Sequence, residues 1–223
     1  RSTISEDDLT AQTRKKYPNP QAFEADMPRM LRDLGFTDAD ADFTSSKIKV
    51  EGARGSGHAW GAVGRWEKSL LRTRIGAQGM DYKGYNIAIH EFGHNVEQTI
   101  DLYNIDYYPM AGVPNTGFTE ALAFIFQKRD LKLMGYDYAI DDNTTLDIFW
   151  GLYEIMGVSL VDMKMWQWLY ANPDANATQL REATIRIARE VWNKYYYPVL
   201  GEKDSPILAC YSHMVDVPMY LPN

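Results

Sequence analysis

The chain has a single cysteine, Cys210, among its 223 residues. That excludes an internal disulfide and any zinc site built on cysteines. No run of about 18 apolar residues occurs, so no membrane-spanning helix is expected. No lysine and arginine cluster offsets the net charge of −7, which argues against a nucleic-acid surface. Repeats and low-complexity linkers are missing too. No leader peptide is visible, but the chain opens on Arg1 rather than Met, as expected of a segment cut from a longer one. Two triplets, Asn143-Thr144-Thr145 and Asn176-Ala177-Thr178, fit the glycosylation pattern and carry little weight without a secreted context.

Histidine is scarce as well, with four in the chain, and two of them fall in one short run: His90-Glu91-Phe92-Gly93-His94. Residues i and i+4 of a helix share a face, so two imidazoles can reach one metal ion. The Glu between them can take a proton from a water activated there. A catalytic zinc needs a third protein ligand and an open position. One solution adds a third His six residues on; here position 97 is Glu and position 100 is Ile, so it is absent. The alternative is a carboxylate from a neighbouring helix. Glu120, in Asn115-Thr116-Gly117-Phe118-Thr119-Glu120-Ala121, follows a loop of about fifteen residues that lets the next helix return antiparallel. By itself Glu120 reads as a first-turn acid complementing a helix dipole. After the two-histidine helix it is the expected third ligand. Glu97 and Asp101 are weaker ligand candidates; Glu97 could instead accept from an imidazole N–H.

Patterning predicts helices from about Ser5 to Lys16, up to Leu34, at 82–102 after an Asp81 cap, and at 117–134, 144–157, 159–171 and 176–197. Gly135, Gly157 and Pro173 are the expected punctuation. Phe43–Val50, His58–Val63 and Leu70–Ile75 read as strands of a small antiparallel sheet. Asp38, Asp40 and Asp42 alternate without a glycine-containing calcium loop and read as a solvated turn. The ten methionines, with Trp166, Trp168 and Trp192, read as core rather than ligand platforms. The expected class is mainly α with a small antiparallel β-sheet, in one domain over residues 1–223 that is part of a longer protein.

Several segments together resemble a family. The chain is similar to the gluzincin zinc oligopeptidases, the group that includes angiotensin-converting enzyme and the thimet-type oligopeptidases. The likeness covers about residues 48–135, more weakly 208–220. Gly57-His58-Ala59-Trp60 looks like the family's substrate-facing strand. Arg72-Thr73-Arg74-Ile75 and Met80-Asp81 lead into the zinc helix, and Asn115–Ala121 looks like the segment of the ligand Glu. The resemblance implies a zincin-like catalytic domain and one Zn²⁺ on His90, His94 and Glu120. It implies Glu91 as general base and His58 with Ala59 as substrate-binding residues. His213, ahead of Val217-Pro218, would stabilise the transition state with Tyr220; Tyr211, or a Tyr beyond Asn223, is the alternative to Tyr220. The chain departs from the family in length, in the offset of Tyr220 from His213, and at Gln127, where thimet-type members tend to have a second Glu. The expected activity is hydrolysis of peptide bonds in short peptides. The competing expectation is a catalytically silent zinc-binding module with a binding or structural role.

Overall fold

The structure, a computed structural model, describes residues 4–110, 115–137 and 142–211. The chain divides into two compact units, Arg1–Tyr138 and Ala139–Asn223. His213 and Tyr220 lie outside the described residues.

The first unit begins with α1 (Glu6–Lys16), whose N-cap Ser5 accepts from the Asp8 amide. Acidic residues fill its first turn and basic ones its last, as the helix dipole favours. Next, α2 (Pro20–Asp33) ends at Gly35, which takes the left-handed conformation at φ +101°. A third helix, α3 (Asp38–Ser46), occupies the segment expected as a solvated turn and the start of a strand. Thr37 is the reason: its hydroxyl accepts from the Asp40 amide at 3.2 Å, and Asp38 and Asp40 become first-turn acids.

Three strands follow: β1 (Ile48–Ala53), β2 (His58–Trp60) and β3 (Ser69–Arg74), in the order β1-β3-β2. The sheet is mixed rather than antiparallel. β2 folds back on β3 as its antiparallel partner, while β1 pairs with β3 in parallel. Residues 54–68 are long enough to bring β3 back in the direction of β1, so β1 and β2, neighbours along the chain, are separated in the sheet by β3.

Asp81 caps α4 (Tyr82–Asn104), accepting from the Gly84 amide at 2.7 Å, and its outer oxygen holds Arg74 at 2.8 Å. α4 packs against β3, β2, α1 and α5 (Thr116–Gln127). A short α6 (Asp130–Leu133) replaces the end of the expected 117–134 helix. The core joins Tyr17, Phe23, Met27, Ile48, Leu71 and Tyr85 to Ile89 and Phe92 on α4. The side of α4 opposite the metal-ligand candidates is thus anchored in the unit's centre.

The second unit contains α7 (Asp142–Ala171), α8 (Ala177–Tyr195) and α9 (Tyr197–Leu200). α7 runs unbroken where two helices were expected. Gly157 does not stop it; a Cβ there would lie 2.4 Å from the Tyr196 hydroxyl, to which the Gly157 amide donates at 2.8 Å. The glycine serves a close approach within the unit. Trp192 is buried in this core, stacked on Tyr196. Among the described residues no helix is long and apolar enough to cross a membrane.

Candidate metal centre

His90 and His94 stand one turn apart on α4, their ring centroids 4.9 Å apart and their planes at 81°. Their side chains are 16% and 14% exposed. Glu120 reaches them from α5. That helix starts at Asn115, whose side chain accepts from the Phe118 amide, and it returns antiparallel to α4. Close packing of the pair sets the reach: a Cβ on Gly93 would meet the Cα of Ala123, and Phe92 meets Phe126 edge-on at 5.9 Å.

Glu120 Oε2 lies 3.3 Å from His90 Nε2, and Oε1 lies 3.5 Å from His94 Nε2. All three ligand atoms fall within 4.8 Å of one another, and the group could hold a metal ion. Each imidazole faces a different oxygen of the Glu120 carboxylate, so the one side chain spans both rings. The donor set, two neutral imidazoles and a carboxylate, suits a borderline divalent ion. His94 is held below the ordinary imidazole range, chiefly by burial, and that favours the neutral, ligating form.

Glu91 lies beside this group. Its carboxyl is raised above the usual range, mainly by burial, while His90 and His58 favour the ionised form. The Ala59 backbone donates to it, and the Ala59 carbonyl accepts from Gln98 Nε2 at 3.4 Å. Gly57 permits this closeness, since a Cβ there would sit 2.3 Å from Ile87 and 3.1 Å from Glu91 Oε1. β2 is therefore laid against the face of α4 that carries Glu91. His58, exposed on that strand, turns its Nδ1 to the Ser56 carbonyl at 3.1 Å.

Of the residues expected at the site, the structure gathers His90, His94 and Glu120 in one group and brings Glu91, His58 and Ala59 to its edge. Tyr211 ends a 3₁₀ turn, Ile207–Tyr211, of the second unit. Among the described residues Glu97 neither joins the ligand group nor pairs with an imidazole. It is buried and hydrogen-bonded to Asp101, and burial with that neighbour pushes it up to about 7. Two neighbours had no role assigned from the sequence. Phe124, one turn beyond Glu120 and half exposed, sets its ring edge-on to His90 at 5.0 Å. Gln127 Oε1 lies 3.1 Å from His90 Nδ1. Its place two turns beyond Glu120, on the same helix face, is the signal that points to it.

No protein-family model matches this chain, and no curated protein or solved structure matches it significantly.

Proposed function

We propose that this chain is the zinc-binding catalytic part of a gluzincin-type metallopeptidase that hydrolyses peptide bonds in short peptides. The observation that carries the proposal is the gathering of His90, His94 and Glu120, one ligand atom of each within 4.8 Å of the others. The His-Glu-x-x-His run and the zincin-like resemblance of residues 48–135 favour zinc over other divalent ions.

His90, His94 and Glu120 would hold Zn²⁺, which would supply Lewis-acid polarisation of the scissile carbonyl and of the attacking water. Glu91 takes the proton of the attacking water as general base and delivers it to the leaving amine. Burial suits it to both roles, because a carboxyl raised toward neutrality accepts and returns a proton with less penalty. The Ala59 amide fixes one Glu91 oxygen and leaves the other for the water. His58, exposed on β2, is the proposed contact to an extended peptide. His213 and Tyr220 are the proposed donors to the oxyanion, each worth about 3 kcal/mol if well placed.

The test is zinc content together with cleavage of a quenched fluorogenic peptide. Stoichiometric zinc, turnover abolished by chelator and turnover restored by zinc are expected. Stoichiometric zinc without cleavage, in a protein extended to its full coding length, would instead identify a zinc-binding module.

A further inference from the structure

His90 is the end of a hydrogen-bonded chain that runs away from the metal centre along the α4–α5 seam. Its Nδ1 meets Gln127 Oε1 at 3.1 Å. Gln127 Nε2 donates to Asn86 Oδ1 at 2.6 Å. Asn86 Nδ2 donates to Asp130 Oδ2 at 2.7 Å. Asp130 is buried, and its two oxygens are further held by the Tyr82 hydroxyl at 2.7 Å and the Leu131 amide at 2.6 Å. The backbone carbonyl of Asp130 accepts from Tyr85.

The direction of this chain is dictated at one end. A carboxylate only accepts, so Asn86 must turn its NH₂ to Asp130. The Asn86 carbonyl then faces Gln127, which must donate its own NH₂. Gln127 is left presenting a carbonyl to His90, and a proton on Nδ1 is the donor that matches it at 3.1 Å. The proton excluded from Nε2 leaves its lone pair on the side of Glu120. Reversing any amide would place an NH₂ against Nδ1, move the ring proton to Nε2 and remove the ligand atom. A tautomer is set by the bond its other nitrogen makes.

We propose that Asp130, acting through Asn86 and Gln127, is a positioning residue that holds His90 in its Nδ1–H tautomer and so readies Nε2 for the metal; this rests on the metal-centre reading above. Asp130 touches neither metal nor substrate. Two neutral amides carry the orientation over three hydrogen bonds without bringing a second negative charge beside the site.

The experiment uses the full chain with three substitutions and two main readouts, with the metal-free melting temperature recorded as a third. The first readout is the His90 tautomer in metal-free protein, from two-bond ¹⁵N–¹H correlations at about pH 8, above the imidazole range. The second is Zn²⁺ affinity, measured by competition with a chromophoric chelator. The wild type is expected in the Nδ1–H form. Gln127→Met, which keeps the shape and removes the acceptor, is expected to shift His90 toward Nε2–H and weaken zinc binding by about 10–100-fold. Gln127→Glu, still an acceptor for Nδ1–H, is expected to restore both. Asn86→Leu, which cuts the link to Asp130 but spares Gln127, is expected to give a mixed tautomer and an intermediate affinity. Predominant Nε2–H in the wild type, or an unmoved tautomer in Gln127→Met, overturns the proposal. A wild-type response in Asn86→Leu overturns the part assigned to Asp130. A merely structural role would lower the metal-free melting temperature and leave the tautomer alone, which also counts against the proposal. Should the wild type hold Nδ1–H yet bind no zinc, the positioning chain stands and the metal-centre reading fails.

Discussion

A Cβ on Gly93 would lie 2.8 Å from the Cα of Ala123 and 3.2 Å from the Cβ of Phe126. Only glycine lets α4 and α5 approach this closely, and the approach is what lets a short carboxylate span from one helix to two imidazoles on the other. Gly93 sits between the residues of the His-Glu-x-x-His run yet ligates nothing itself.

Gly93→Ala should therefore push α5 outward. Alanine gains up to about 1 kcal/mol of helix propensity over glycine. Overpacking against backbone costs about 1–3 kcal/mol. The second effect wins, so a net loss of up to about 2 kcal/mol is expected in urea unfolding, with zinc affinity reduced more than about tenfold. Full stability and full affinity in the alanine variant would show that the seam has room to spare.

Glu120→Ala leaves two imidazoles, too few for a catalytic zinc site. Zinc affinity should fall further than the roughly 10–100-fold expected for loss of an outer partner. Calorimetric titration with zinc measures this, and cobalt substitution reports the coordination number by its visible bands. An unchanged isotherm would remove Glu120 from the ligand set.

Glu91→Gln should keep zinc and lower kcat by about 10²–10⁴-fold. The wild-type pH profile should carry a matching signature. A general base must be deprotonated, so activity is lost as pH falls through its pKa. Burial raises that pKa, and the acid limb of kcat/KM should lie above the ordinary carboxylate range. Turnover surviving in the Gln variant excludes Glu91 as the base.

Glu97 gives a stability effect separate from catalysis. Its carboxyl rises from an ordinary 4.5 to about 7 in the folded chain, through burial and then its bond to Asp101. Between those values the folded chain holds a proton that the unfolded chain has lost, so stability falls as pH rises from about 4.5 to 7. Glu97→Gln should flatten that slope and stabilise the protein above pH 7, by an amount on the order of 1–2 kcal/mol. Urea unfolding across this range is the measurement; parallel curves for variant and wild type would contradict it.

Features encoded within a few residues are legible in the amino-acid order alone. The Asp81 cap and apolar period place the helix bearing His90 and His94 at 82–102, against Tyr82–Asn104 observed. The i, i+4 histidines need no more than helical geometry. The third strand, expected at Leu70–Ile75, is Ser69–Arg74. Other expectations fail where a local signal has two readings. The alternation of Asp38, Asp40 and Asp42 suggests a solvated turn, but the Thr37 cap ahead of them starts a helix instead. Gly157 suggests a helix end because its partner, Tyr196, lies 39 residues away.

By itself the sequence determined the helix bearing His90, Glu91 and His94, its starting cap, and a mainly helical chain, since each follows from propensity and spacing over one or two turns. Tertiary structure alone decided that β1 runs parallel to β3 and that the Glu120 carboxylate faces the imidazoles rather than solvent. It alone joined Gln127 to Asn86 across 41 residues. Such pairings depend on how closely two distant segments can pack, and no local period records that distance.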